Sequence, residues 1–198
     1  SLSAGEILAL AQAYSLEAYF KFDEGTGTTT ADSTGNGHTG TFSGGTSWVV
    51  GKSGSAVSLD GSSGTVSCAL GANLPANNAP QTISWWMNYA APPQSVESMI
   101  GLTNSTAGSA VQCGFRNGQL TVWNWGGNTL VSTTVPSANS WHQASYTYDG
   151  TTHSLYVDGV LANSSTAGAQ TAAPSRLDLG LTPGWGEYYA GILDEVRI

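Results

Sequence analysis

The sequence predicts an all-β protein: an antiparallel two-sheet jelly-roll β-sandwich with one short N-terminal helix. Three observations carry this. Glycine occurs 26 times in 198 residues, Ser and Thr are plentiful, and charged residues make up only 9%. That composition suits many short strands joined by tight turns. Apolar and polar residues alternate with period two in segment after segment. Turn dipeptides separate those segments: Asn117-Gly118, Asp149-Gly150 and Asp158-Gly159, each suited to a tight hairpin loop.

The helix comes first. Ser3 to Glu6 form an S-x-x-E capping box, in which a hydroxyl meets the first free amides and a Glu reaches back. Ile7, Leu8 and Leu10 follow, and a helix is expected over residues 3–13. Residues 1–14 form this attachment and residues 15–198 the sandwich. In SLEAYFKFD, Leu16, Ala18, Phe20 and Phe22 take one face, and Glu17, Lys21 and Asp23 the other. EGTGTTTADSTGNGHTG reads as a long polar loop. AVSLDG and TVSCAL are short strands, the second pointing Val66, Cys68 and Leu70 one way. TISWWMNY points Ile83, Trp85, Met87 and Tyr89 inward and Trp86 outward. VQCGF, QLTVWNW, QASYTYD, HSLYVD, RLDLG and AGILDEVRI complete the set. Ten or more short strands make a sandwich, most simply a jelly roll.

Composition also limits function. The formal net charge is −8, with five Lys and Arg in all, so nucleic acid and anionic membrane surfaces are not expected partners. No apolar run reaches the length of a membrane-spanning helix, and no membrane insertion is expected. The chain starts without Met or a signal peptide and reads as a mature or excised fragment. Cys68 and Cys113 are either two buried thiols or a disulfide of an exported protein; the sequence leaves both open.

EAYFKFDEGTGTTTADSTGNGHTGTFSGGTSWVVGKSGSAVSLDG resembles the opening of the laminin-G-like jelly-roll domains of the concanavalin A-like lectin/glucanase superfamily. TISWWM, WHQASYTYDGTTHSLYVDGVL and GILDEVRI resemble three further signatures of that family, in the right order. The resemblance covers about residue 15 to the last residue. It implies the fold, and binding more than catalysis.

Catalysis is not expected from the residues either. Retaining glycosidases need two carboxyls about 5 Å apart, and on one strand those stand at i and i+2 or i+4. No E-x-D-x-x-E occurs. Asp194-Glu195 and Asp23-Glu24 are adjacent pairs, so their members point to opposite faces. A Ser-His-Asp arrangement is open in principle, but no G-x-S-x-G elbow accompanies the three histidines.

Two sites are expected. In the final strand Tyr188, Ala190, Ile192, Asp194, Val196 and Ile198 share a phase, which turns Asp194 toward the core. A bare buried carboxylate needs compensation. The loop DSTGNGHTG offers hard oxygens, and Ca²⁺ takes six to eight of them in irregular geometry. Laminin-G-like domains often hold a structural calcium here. The resemblance therefore implies Ca²⁺ on Asp32, Asn36, the His38 carbonyl and Asp194. The alternative is that Asp32 caps a turn while Asp194 bonds backbone amides or protrudes at a bulge.

The second site is a binding face. In QLTVWNW, Leu120 and Val122 alternate with Thr121, Trp123 and Trp125. If the aliphatics face the core, both tryptophans stand outside as a flat apolar ledge for sugar rings. LTPGWGEYY adds Trp185 and Tyr188. Trp123, Trp125, Trp185 and Tyr188 are the expected glycan platform, while Trp85 and Trp141 belong to the core. The expected function is a non-catalytic carbohydrate-binding, lectin-like module of a secreted or cell-surface multidomain protein, bacterial in type, whose partners are a polysaccharide and neighbouring domains. The alternative is a structural or adhesive spacer binding protein partners; a glycan-cleaving enzyme ranks below both.

In many laminin-G-like domains the D-E-V-R-I strand leads into an L-S-x-x-E-I helix. Here that helix stands at the front. The chain reads either as cut from a tandem array or as a permuted domain, with the helix docked near the terminal strand.

Overall fold

The computed structural model describes residues 16–70, 74, 79–103, 111–124, 129–166 and 174–198. The helix expected over residues 3–13, and with it the 1–14 attachment, lies outside them. In chain order the strands begin with β1 (Tyr19–Phe20), β2 (Thr29–Ala31), β3 (Thr39–Ser43), β4 (Thr46–Val50), β5 (Ser55–Asp60) and β6 (Thr65–Ala69). Next come β7 (Gln81–Asn88), β8 (Glu97–Thr103), β9 (Val111–Arg116), β10 (Gln119–Asn124) and β11 (Thr129–Val131). The last are β12 (His142–Tyr148), β13 (His153–Val157), β14 (Val160–Ser165), β15 (Arg176–Leu179) and β16 (Ala190–Arg197).

These strands form two antiparallel sheets. The first runs β14-β13-β12-β7-β16-β5-β4, with β1 on β16. The second runs β11-β10-β9-β8-β15-β6-β3-β2. The inner faces close on one apolar core, as expected for a sandwich. Ile83, Trp85, Met87 and Tyr89 point into it from β7 and its end, and Trp86 points out. Leu120 and Val122 point in from β10; Val111, Cys113 and Phe115 do so from β9. Trp85 is fully buried; Trp141 is only partly so. Asn117 (φ 50°) with Gly118 (φ 77°), and Asp158 (φ 50°) with Gly159 (φ 79°), form the left-handed pairs that match hairpin twist.

Two expectations need correction, and one open alternative is decided. Leu16 lies outside the core, 41% exposed, because it precedes the first paired residue of β1. The final strand does not keep one phase. Tyr189 and Leu193 belong to the core, so Tyr188, Ala190, Ile192 and Asp194 take the outer phase. Glu195 then sits at φ 52°, the pairing with β7 slips between Asp194 and Arg197, and Val196 and Ile198 return to the core. A bulge of this kind inserts one residue and reverses the alternation. Finally, Cys68 and Cys113 are free and buried. They lie in β6 and β9 of the same sheet, with β15 and β8 between them. Three strand spacings amount to roughly 14 Å, far beyond the reach of a disulfide. Burial pushes the Cys68 thiol up to about 11 and raises the Cys113 thiol further, so neither is a ready nucleophile.

Candidate functional site

The sheet register assembles a row that no single segment of sequence contains. On the outer face of the second sheet Thr41 pairs with Ser67, and Ser67 with Asp178. Asp178 pairs with Gly101, Gly101 with Gln112, and Gln112 with Trp123. Asp178 is fully buried there. Its Oδ1 accepts bonds from Ser67 Oγ at 2.9 Å and Arg176 Nε at 2.7 Å, and its Oδ2 from Thr103 Oγ1 at 3.1 Å. Arg176 keeps a side chain 46% exposed, and its Nη2 also donates to Ser67 Oγ at 3.1 Å. The buried carboxylate thus holds the guanidinium in one orientation while its free edge faces outward. A shallow groove of about 480 Å³ opens over this end of the row, lined by Thr41, Ser67, Ala69, Ser175 and Arg176 with Cys68 at its floor.

The middle of the row is roofed by the segment after β15. Gly180 N donates to Met99 O, Thr182 Oγ1 donates to Gln112 Oε1 at 2.5 Å, and Ser98 N donates to Glu187 O. Trp185 sits in the turn of this roof, 58% exposed. Tyr188 is partly buried and bridges to Ser98. Trp123 does take the outer face, as its alternation with Leu120 and Val122 requires. It is not a ledge, however: only 8% of it is exposed, and the Arg116 guanidinium lies 5.2 Å from its ring centroid. Trp125 lies outside the described residues. The expected four-residue platform is therefore reduced to Trp185 with Tyr188 beside it. Ser67, Thr103, Arg176 and Asp178 were missed, because each is an ordinary polar residue in an outward strand position.

The four residues expected to bind calcium are divided. Asp32 accepts bonds from Tyr19 N and Thr34 N, and from Thr34 Oγ1 at 2.7 Å. Burial pushes its carboxyl up, but the Thr34 hydroxyl and the amides outweigh that and hold it below the usual range. Asn36 Nδ2 donates to Glu17 O at 2.9 Å. The His38 carbonyl accepts the Asp32 amide, and His38 Nε2 meets Glu17 Oε1 at 3.2 Å. These three surround residues 16–19. Asp194 instead lies under the turn between β4 and β5. Its Oδ2 accepts from Lys52 N at 2.8 Å and Ser53 N at 3.1 Å, and its Oδ1 from Glu195 N at 2.8 Å. Burial raises its carboxyl to about 6 against those amides. Among the described residues no three His, Cys, Asp or Glu side chains converge as metal ligands. The expected ligand set does not fit a calcium ion as arranged.

A Ser-His-Asp chain does occur. His142 Nδ1 lies 2.7 Å from Asp158 Oδ2, and Nε2 lies 2.9 Å from Ser137 Oγ and 3.0 Å from Ser140 Oγ. Nε2 also lies 3.1 Å from the Ser137 carbonyl, and Asp158 Oδ1 accepts the Gln143 amide. The Asp158 side chain is 48% exposed, unlike the buried orienting carboxylate of a hydrolase triad. The cluster clips the 137–140 turn to the β13–β14 hairpin.

Two antiparallel sheets closed face to face on one apolar core have the architecture of a jelly-roll sandwich. The chain belongs to the concanavalin A-like lectin/glucanases superfamily, whose laminin-G-type family model matches residues 59–198. No curated protein sequence matches it. Among solved structures it is similar to domain 4 of AbnA, a GH43 extracellular arabinanase from Geobacillus stearothermophilus, in complex with arabinotriose. That likeness has 21% identity and a TM-score of 0.69, over 92% of this chain and 90% of the other. The binding domain of Paraclostridial Mosquitocidal Protein 1 is similar at 13% identity and TM-score 0.75, over 92% and 48% of the two chains. A structure of botulinum neurotoxin type C, described as entering cells through two ganglioside molecules, is similar at 12% identity and TM-score 0.73, over 95% and 48%. The chain thus spans about half the length of the toxin structures it resembles. At such identities these likenesses establish the shared fold. No helix among the described residues is long and apolar enough to cross a membrane.

Proposed function

We propose that the chain is a non-catalytic carbohydrate-binding module of a secreted, multidomain protein, and that it takes a neutral glycan in the groove beside Arg176. The observation that carries this is the Arg176–Asp178 pair. Its charges balance, and it presents fixed N–H donors among the hydroxyls of Thr41, Ser67 and Ser175. Such a set suits sugar hydroxyls, and Trp185, 58% exposed in the segment that roofs the same outer face, adds aromatic surface on that side. The row holds one carboxylate, with both oxygens engaged, where a glycosidase needs two working carboxyls. The likeness to a domain solved with arabinotriose supports a polysaccharide ligand, and the extracellular enzyme carrying that domain supports export.

The test is affinity electrophoresis and calorimetry on arabinan and a broad panel of neutral polysaccharides. Arg176→Gln and Trp185→Ala should each weaken binding by about tenfold, with the fold retained. A wild-type blank across the panel overturns the reading. One observation favours the spacer alternative: Val160 and Leu161 stand 71% and 51% exposed on β14, an edge strand of the first sheet. A spacer would show no glycan binding at all.

A bound calcium forms no part of this proposal. Asp32 and Asp194 already take their hydrogen bonds from the protein. Excess EDTA should therefore leave the melting temperature unchanged. A fall reversed by added Ca²⁺ would reveal an ion that these residues close upon.

A further inference from the structure

The outer face of the first sheet carries a second set of aromatic and charged groups. Trp86 of β7 pairs with Asp194 of β16, and one step along Ser84 pairs with Arg197, which pairs with Tyr19 of β1. Trp86, Arg197 and Tyr19 therefore share this face. Three of the chain's five Lys and Arg gather here, each over an aromatic ring. Lys52 Nζ lies 4.5 Å from the Trp86 centroid. Arg197 Cζ and Lys21 Nζ lie 4.1 Å and 5.4 Å from the Tyr19 centroid. Glu195 neutralises Arg197 and also meets Tyr19 Oη. Lys21 and Lys52 are exposed and form no ion pair among the described residues.

Lys52 is not loosely placed. Its amide, with that of Ser53, is anchored on the fully buried Asp194 carboxylate. That anchor fixes the turn holding the ammonium above the indole. An exposed cation–π contact is weak, about 0.5–1 kcal/mol, so a ligand can displace the ammonium from the ring at little cost. A ligand with an apolar ring face and a carboxylate uses both groups at once. The face stacks on Trp86 and the carboxylate takes Lys52.

We propose that Trp86 and Lys52 form a second binding site, for a carboxylated sugar, with Lys21 as an accessory cation. The net charge of −8 disfavours a long polyanion. A single carboxylate at contact distance is little affected, because charges beyond about 8 Å are screened at physiological salt.

The test is calorimetric titration of the whole chain with trigalacturonate and with its neutral counterpart galactotriose. Saturable binding of trigalacturonate is expected, at least about fivefold tighter than galactotriose and weakened by salt. Lys52→Glu should abolish it, and Lys21→Glu should weaken it about threefold, each lowering the melting temperature by no more than about 4 °C. Arg176→Gln should leave it intact, which separates this site from the groove on the other sheet. Absence of saturable binding by the wild type overturns the proposal. Equal binding by Lys52→Glu, or equal loss in Arg176→Gln, overturns it as well. So does binding to phosphatidylserine vesicles without binding to trigalacturonate, which would assign the face to a lipid surface.

Discussion

Asp194→Ala should lower the melting temperature at neutral pH by roughly 10 °C, a loss of about 3 kcal/mol. The carboxylate is fully buried and accepts the amides of Lys52, Ser53 and Glu195. It ties the β4–β5 turn to the bulge at Glu195, and alanine leaves all three donors without an acceptor. Asp194→Asn should cost less, since the amide keeps one oxygen but turns its NH₂ toward amides on the other side. The pH dependence has a definite sign. Burial raises this carboxyl from 3.8 to about 6 in the folded protein, so the folded state binds its proton more readily than the unfolded chain. The protonation-linked part of its contribution is greatest below the unfolded value and is lost as pH rises through about 6, while the three amide bonds remain above that pH. Thermal melts of wild type and Asp194→Asn should thus show the wild type losing ground between about pH 4 and about pH 6. A gap that stays constant over that range would show that the carboxyl does not titrate there.

Asp194 also shows what alternation alone conveys. The sequence places it on a strand and implies a buried carboxylate needing partners; both hold. The phase fails because one residue, Glu195, adopts a left-handed conformation and shifts the register. Nothing in GILDEVRI marks that residue, which is not a glycine. The opposite case is TISWWMNY, where alternation runs unbroken and sorts Trp85 from Trp86 correctly. For Trp123 the face was legible but its cover was not, since Arg116 reaches it across the β9–β10 hairpin. The groove was invisible for a different reason. Thr41, Ser67 and Asp178 meet only because β3, β6 and β15 are neighbours in the sheet, and Ser and Thr are too common here to stand out.

Asp178 and Arg176 should behave as one unit. Asp178→Ala removes the acceptor of Ser67, Thr103 and Arg176, and should cost about 2–3 kcal/mol. The released guanidinium is half-exposed and is rehydrated, which limits the loss. Arg176→Ala leaves a fully buried carboxylate with two hydroxyl donors and no countercharge, and should cost as much or more. The double variant should be less destabilised than the sum of the two, with a coupling of about 1–2 kcal/mol. Urea unfolding of the four proteins measures that cycle. Glycan affinity provides a second readout on the same four proteins. Both single variants should lose groove binding, Asp178→Ala because the guanidinium is no longer oriented although its charge remains. Simple additivity in stability would mean that the pair is not a unit. Full glycan affinity in Asp178→Ala would mean that Arg176 binds without being held, and that the buried carboxylate serves the fold alone.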